Sequence, residues 1–164
     1  MRILGIDPGC GFTGYGIIET DGSQHAPILF GAIQTRARQP LQERLLTIYT
    51  GLSRILASEE VHVVAIEEVF YAANVQSAIK LGQARGVALL AAGERHLPVF
   101  EYSALEIKSS IVGYGRAEKG QVQAMVRFIL KLPEVPKPDA ADALAVAICH
   151  SHLCRSVVCR ATRT

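Results

Sequence analysis

The first seven residues constrain the fold of this chain more than any other segment. Residues 3–6 form an apolar run typical of a buried strand, and the run stops at Asp7, which Pro8 and Gly9 follow. A Pro-Gly pair turns the backbone and ends the strand. Because apolar strands exclude charge from their interior, an acid at the strand tip points to the edge of a sheet, where the sites of α/β proteins form.

The rest of the chain predicts an α/β domain with a mixed sheet. A turn at Asp21-Gly22 separates two further strands of an antiparallel meander, and later strands alternate with helices. The predicted strands cover residues 2–6, 13–20, 28–35, 61–66 and 99–102, and the predicted helices cover residues 41–58, 74–95, 103–111, 118–131 and 138–153.

Length and composition predict one domain. The chain has 164 residues, of which 49% are hydrophobic and 20% charged, enough for a single core. We assign residues 1–153 to this domain and expect residues 154–164, which contain three arginines, to form a disordered basic tail. No uncharged apolar stretch approaches the roughly 20 residues of a membrane-spanning helix, and the first apolar run is too short for a signal peptide. We therefore expect a cytoplasmic location and no membrane partner.

A glycine-rich segment after the first strand offers a rival interpretation. Gly9, Gly11 and Gly14 fit the G-x-G-x-x-G pattern of dinucleotide-binding proteins. That pattern requires the third glycine to open a helix whose N-terminus faces a pyrophosphate. Residues 15–18 (YGII) instead favour a strand. A nucleotide-binding protein therefore stays as an alternative with weak support.

Acidic residues mark three places where elements begin or end. Asp7 and Glu67 each end a predicted strand, while Asp139 and Asp142 lie on one face of the first turn of a helix after Pro138. Acids in a first helical turn also stabilise the helix dipole with no catalytic role, so the second pair has two interpretations. The chain has only four aspartates, and three of them lie at these places.

Four converging carboxylates repel one another unless cations lie among them. Carboxylate oxygens suit Mg²⁺ or Mn²⁺, and two such ions about 4 Å apart are suited to the hydrolysis of a phosphodiester by water. Without these four acids, the 17 Lys and Arg residues would outnumber the remaining acids by six. A basic body around an acidic site is typical of a nucleic-acid enzyme. The loop at residues 113–116, which ends in Arg116, is predicted to be mobile and to contact a DNA backbone.

Longer segments carry a resemblance to a known family. ILGIDPG, TGYGII, AIEEVF, SAIKLGQARG, PVFEYSALEIK and KPDAADALAVAICH follow one another from Arg2 to about Leu153. In this order and spacing they resemble the RuvC family of Holliday junction resolvases. The resemblance implies an RNase H-like fold, a five-stranded sheet in which a three-strand antiparallel meander joins two parallel strands, flanked by helices. It also implies a homodimer that binds a four-way DNA junction and nicks two symmetrically related strands.

The resemblance also implies roles for single residues. It makes Asp7, Glu67, Asp139 and Asp142 the ligands of two Mg²⁺ ions, for which Mn²⁺ substitutes. It places Lys108 and Lys119 near the scissile phosphate, and it makes Phe70 an aromatic that stacks on a base opened at the junction. RuvA and RuvB are the implied partner proteins. Glu68 departs from the glutamine expected there, which leaves open which of the two glutamates binds metal.

Other interpretations of these residues remain. A lysine on a helix is usually a solvated charge, and Phe70 alone would be assigned to the core. Ala78, Gly82 and Gly86 form a stripe of small residues that packs either on the chain's own sheet or against a second copy. If the acids only cap a helix, the chain is a junction-binding module without catalysis.

Overall fold

The structure, a computed structural model, describes residues 1–68 and 75–161, with the side chains of the last helix described as far as Cys154. It confirms an α/β fold with five strands and five helices in the described residues. In chain order these are β1 (Arg2–Asp7), β2 (Phe12–Thr20), β3 (His25–Gln34), α1 (Leu41–Ser58), β4 (Val63–Glu67), α2 (Val75–Gly93), β5 (Val99–Tyr102), α3 (Ala104–Val112), α4 (Lys119–Ile129) and α5 (Pro138–Ala161).

The strands form one mixed sheet in the order β3-β2-β1-β4-β5. β1 pairs antiparallel with β2, and β2 with β3, while β1 and β4, and β4 and β5, pair parallel. This is the predicted meander joined to two parallel strands. β1 lies in the middle of the sheet, which explains why its residues from Ile3 to Ile6 are almost all apolar and buried.

Strand alternation assigns the two faces of the sheet to different helices. Ile3 belongs to the core beneath α3, α4 and α5, whereas Leu4 and Ile6 belong to the core beneath α1 and α2. Asp7 therefore lies on the same face as Ile3 and Gly5, the face that α5 covers. Val63 and Ala65 place Glu67 on this face by the same rule.

Helix α5 approaches the sheet very closely. A Cβ atom built on Gly5 would lie 2.0 Å from the carbonyl oxygen of Ala143, and one on Gly14 would lie 2.0 Å from that of Asp139. The facing side of α5 consists of small residues, among them Ala140, Ala143 and Ala147, all buried. Glycine in the sheet opposite alanine in the helix allows backbone-to-backbone packing, which positions the first turn of α5 relative to β1 and β2.

The observed boundaries differ from the predicted ones by three residues or more at two places. β3 begins at His25 rather than at residue 28, because pairing with β2 continues across an irregularity between Ile17 and Ile18. Helix α5 extends to Ala161 rather than to residue 153. The predicted limit between the domain and a basic tail therefore falls inside a helix, and the assignment of residues 154–164 stays a prediction. Among the described residues, no helix has the length and apolar character that crossing a membrane requires.

Candidate active site

The tips of two adjacent parallel strands bring the first two acids together. β1 and β4 pair in register from Ile3 with Val63 to Ile6 with Ile66, so the following residues, Asp7 and Glu67, lie side by side at the sheet edge. Both side chains are partly buried, and the charge of Glu67 raises the pKa of Asp7. The two strand tips therefore form a crowded acidic site.

The first turn of α5 supplies the other two acids. Because the backbone of Asp139 packs on Gly14, and Gly14 pairs with Asp7 across β1 and β2, the start of α5 lies next to the tip of β1. Asp142 follows one turn later, and its Oδ2 lies 2.6 Å from Nζ of Lys119. Both predicted positions on α5 are thus at the same sheet edge as Asp7 and Glu67.

The pKa values show that the four carboxylates share one electrostatic environment. Burial, followed by the charges of Glu67, Asp142 and Asp139, raises the pKa of Asp7 to about 7, although Lys119 opposes the shift. Burial and the charge of Asp142 likewise raise the pKa of Glu67, and Lys119 and Lys108 oppose that shift. The repulsion expected from four converging acids is therefore present.

The carboxylate oxygens of these acids are the donor type that a hard divalent cation prefers, but the side chains are not arranged around a cation position. Among residues 1–68 and 75–154, no three acidic, histidine or cysteine groups are gathered tightly enough to hold an ion as they stand. Asp142 instead forms an ion pair with Lys119, and Asp7 lies next to Glu67 at the ends of β1 and β4. A cation that neutralises these oxygens would relieve the repulsion on Asp7 and draw the carboxylates together.

A cleft of about 180 Å³ opens beside the acids and contains both predicted lysines. Its lining combines apolar and charged side chains, namely those of Glu67, Ala104, Ile107, Lys108, Lys119, Val122, Asp142 and Ala145. The pKa of the Lys119 amine is raised, chiefly by its hydrogen bond to Asp142. A cleft that contains both carboxylates and ammonium groups suits a phosphate that is accompanied by cations.

Helix starts position the two lysines. Lys108 lies on α3, where Ser103 and Glu106 form a capping box: the Ser103 amide donates to Glu106 Oε2 at 2.8 Å, and the Glu106 amide donates to Ser103 Oγ at 3.3 Å. Lys119 is the first residue of α4, and the preceding amide of Glu118 donates to the Gln121 side chain at 2.8 Å.

The remaining predicted site residues have different outcomes. Arg116 is exposed in the loop between α3 and α4, on the approach to Lys119. Phe70 lies outside the described residues, so its stacking role stays a prediction. The amide of Glu68 donates to the Tyr102 carbonyl and continues the β4–β5 pairing. Glu67, and not Glu68, lines the cleft, which favours Glu67 as the ligand.

The glycine-rich segment does not form a dinucleotide site. Gly14 is part of strand β2, which runs from Phe12 to Thr20, so no helix begins at the third glycine. Without a helix N-terminus at this point, the backbone cannot present the aligned amides that a pyrophosphate requires. The rival interpretation based on this motif is wrong.

Two residues that hold the loop after Asp7, Arg44 and Thr35, were not identified from the sequence. The Arg44 guanidinium on α1 donates to the Cys10 carbonyl at 2.7 Å and, through Nε, to Thr35 Oγ1 at 3.1 Å. A single arginine early in an amphipathic helix looks like a solvated charge, and nothing in its local pattern identifies a distant carbonyl as its partner.

Comparison with known proteins is consistent with these observations. The family model described as Crossover junction endodeoxyribonuclease RuvC matches residues 3–150. Proteins with that name from Syntrophotalea carbinolica and Citrifermentans bemidjiense are 58% and 56% identical to this chain over 152 residues, which is 93% of this chain and 94% and 93% of those relatives. Among solved structures, that of Thermus thermophilus RuvC in complex with Holliday junction substrate has a TM-score of 0.91 at 34% identity, with 96% of each chain covered.

Proposed function

The chain belongs to the RuvC family of crossover junction endodeoxyribonucleases, and from this premise we propose that it resolves Holliday junctions at the carboxylate site described above. The observation that carries the proposal is the meeting of the first turn of α5 with the tips of β1 and β4. It brings Asp7, Glu67, Asp139 and Asp142 to one sheet edge beside two lysines. The reaction is hydrolysis of a phosphodiester in each of two DNA strands.

The four carboxylates would hold the divalent metal. Asp7, Glu67, Asp139 and Asp142 offer only oxygen donors, the ligand type that Mg²⁺ and Mn²⁺ prefer, and we propose two ions per site. When bound, such ions supply Lewis acidity to the phosphate oxygens and lower the pKa of water. The carboxylates themselves would orient the ions and offset their positive charge.

We assign the two lysines to the phosphate. Lys119 pairs with Asp142 in the free protein, and its side chain is 61% exposed. If a metal ion took the place of Lys119 beside Asp142, the lysine side chain would be free to turn toward a DNA phosphate. Lys108 lies on the opposite helix of the same cleft. In these positions the ammonium groups would offset the charge that develops on the phosphate during hydrolysis. Arg116 would contact the DNA backbone farther out.

The homodimer and the protein partners are further parts of the proposal. The buried side of α2 consists of Ala84, Ala88, Ala91 and Ala92, whereas Gly82 and Gly86 are exposed, and no described atom lies within 4 Å of a Cβ built on either. The small-residue stripe therefore does not pack on the chain's own sheet at these two glycines, which favours contact with a second copy. RuvA and RuvB as partners, and the cytoplasm as location, rest on the family alone.

A junction-cleavage assay tests the proposed function. The purified protein is incubated with an immobile four-way junction and with a linear duplex of the same sequence, each with Mg²⁺ and with EDTA. We expect paired nicks at symmetric positions, only on the junction and only with metal. Tight junction binding without cleavage in Mg²⁺ or Mn²⁺ would instead support the binding-module alternative, and cleavage in EDTA would remove the metal from the mechanism.

A further inference from the structure

The loop that follows Asp7 has all its carbonyl groups turned into the protein. We call residues Gly9, Cys10 and Gly11 the Gly9–Gly11 loop. Each carbonyl oxygen in it accepts a hydrogen bond from another part of the chain. The donors are Thr13 Oγ1 to Gly9 at 2.8 Å, Arg44 Nη2 to Cys10 at 2.7 Å together with Thr35 Oγ1, and the Thr35 amide to Gly11 at 2.9 Å.

The peptide geometry then determines where two amides point. In a trans peptide plane, the N–H of one residue points opposite to the carbonyl of the residue before it. The amides of Cys10 and Gly11 therefore point away from Thr13 and Arg44. Neither amide donates a hydrogen bond to any described residue. A Cβ built on Gly11 would have no described atom within 4 Å apart from its chain neighbours, so there is open space beside the loop at this residue.

The ligand chemistry follows from the donors and from the position of the loop. Two adjacent amides with no competing carbonyl form a site for an anion, and the guanidinium of Arg44 behind them adds positive charge. The loop begins two residues after Asp7, close to the acids in sequence, so the anion must be one that the substrate brings.

We propose that the amides of Cys10 and Gly11 bind a DNA backbone phosphate near the cleavage site, and that Arg44 is the positioning residue that presents them. This inference rests on the proposed function, because the phosphate belongs to the junction strand that the carboxylate site cleaves. Arg44 does not contact the phosphate in this arrangement. It holds the Cys10 carbonyl inward, which turns the Gly11 amide outward.

Methylphosphonate interference tests the contact directly. Junctions that carry one neutral methylphosphonate at successive positions around the cut are titrated in EDTA against the wild-type protein and Arg44→Met. We expect one position at which the substitution weakens wild-type binding about tenfold, since hydrogen bonds to a charged group are strong. Arg44→Met should bind the unmodified junction about tenfold more weakly and lose most of its sensitivity at that same position.

A role of Arg44 in phosphate binding differs from a purely structural role in one measurable way: the effect of Arg44→Met on junction binding depends on which phosphate is neutralised. Arg44→Lys, which retains one donor for the Cys10 carbonyl, should recover part of the position-specific sensitivity. Equal losses for wild type and Arg44→Met at every methylphosphonate position would overturn the inference while leaving the proposed function intact. If wild type fails to prefer the unmodified junction over a duplex, the proposed function itself fails.

A charge placed on the open side of the loop gives a second test that does not depend on the stability of Arg44 variants. Gly11→Glu puts a carboxylate where no described atom is displaced, so the melting temperature should change little while junction binding weakens about tenfold or more. Gln24→Glu is the matched control. It adds the same charge at an exposed position at the other end of β2, about 30 Å away, and should leave binding within twofold. Equal binding by the two variants would contradict a phosphate at the loop.

Discussion

At the residue scale, Asp7 shows how neighbours determine the chemistry of a side chain. A solvated aspartate has a pKa near 4, but burial and three other carboxylates raise the pKa of Asp7 to about 7. The same residue ends β1 and precedes the Gly9–Gly11 loop. Small changes at this position should therefore affect the proposed metal site, the charge of the cleft and the stability of the free protein together.

Asp7→Asn is expected to abolish cleavage and to preserve junction binding. The amide keeps the shape of the side chain but removes a charged metal ligand, and the loss of one negative charge also reduces repulsion of DNA phosphates. Cleavage in Mg²⁺ should fall by at least about 1000-fold, because the metal is expected to supply several kcal/mol of transition-state stabilisation. The dissociation constant for the junction in EDTA should stay equal or decrease. Substantial remaining cleavage would show that Asp7 is not a ligand.

The raised pKa of Asp7 predicts a pH-dependent stability of the metal-free protein. In the folded chain Asp7 ionises near pH 7, whereas in the unfolded chain it ionises near pH 4, so the folded state binds the extra proton between these values. This group's favourable contribution is complete below about pH 4 and is lost as the pH rises through 7. In EDTA, Asp7→Asn should therefore raise the melting temperature relative to wild type more at pH 8 than at pH 5.

Differential scanning fluorimetry of both proteins at the two pH values measures this effect. We expect a gain of at least about 3 °C at pH 8, since a change of 1 kcal/mol shifts the melting temperature of a domain of this size by a few degrees. Mg²⁺ should stabilise the wild type more at pH 8 than at pH 5, because the cation then replaces the proton. A gain that is equal at both pH values would mean that Asp7 ionises normally.

At the element scale, α5 is the element on which the site depends. It packs on β1 and β2 through Gly5 and Gly14, and its middle is held by hydrogen bonds between Tyr102 Oη and His150 Nδ1 at 2.7 Å and between Thr20 and Ser151 at 3.2 Å. These contacts position the first turn relative to the strand tips. Two of the four acids are thus placed by the packing of a whole helix.

Gly14→Ala should disable the site by displacing this helix. The new methyl carbon would meet the Asp139 carbonyl at 2.0 Å, so α5 must shift away from β2 and carry Asp139 and Asp142 with it. We expect a destabilisation of about 1–3 kcal/mol and a loss of cleavage larger than the loss of folded protein.

Gly93→Ala is the matched control for that variant. Gly93 is exposed at the end of α2, has an ordinary backbone φ, and has no described atom within 4 Å of a built Cβ. Alanine there should leave stability and cleavage within error of wild type or raise stability slightly. Chemical denaturation and the cleavage assay on both variants decide the matter, and normal cleavage by Gly14→Ala would show that α5 tolerates displacement.

At the scale of the whole molecule, the exposed face of α2 is the surface that we propose for contact with a second copy of the chain. Ile79 and Leu90 are more than half exposed on this helix, and Gly82 and Gly86 between them leave room for a second backbone. A two-fold axis through this face would give one site for each of two equivalent strands, which suits the symmetric cuts implied by the family.

Gly86→Glu is expected to separate the proposed dimer. A carboxylate buried at the centre of a helix–helix contact has no partner there, so the variant should elute as a monomer in size-exclusion chromatography with light scattering, while wild type elutes as a dimer. Gly93→Glu adds the same charge at the end of the helix and should stay dimeric. On the junction, the Gly86 variant should give single nicks rather than paired ones. A dimeric Gly86→Glu protein would place the interface elsewhere.

Local sequence patterns were sufficient to predict much of the fold and the identity of the acids. The apolar run that stops at Asp7 predicted a buried strand with an acid at its tip, and α1 was predicted with its observed bounds, residues 41–58. These features depend on neighbouring residues and on burial, both of which leave a periodic trace in the chain.

The assembly of the site depends on contacts between distant parts of the chain. Local sequence does not reveal that α5 packs on Gly14, that Lys119 pairs with Asp142, or that Arg44 holds the Cys10 carbonyl. Each of these contacts joins residues at least 23 positions apart. Local sequence decides which residues carry charge, and local sterics and hydrophobic periodicity decide which segments form strands or helices. Which charges meet depends on the packing of whole elements, where one glycine opposite one carbonyl sets the distance between the acids of the site.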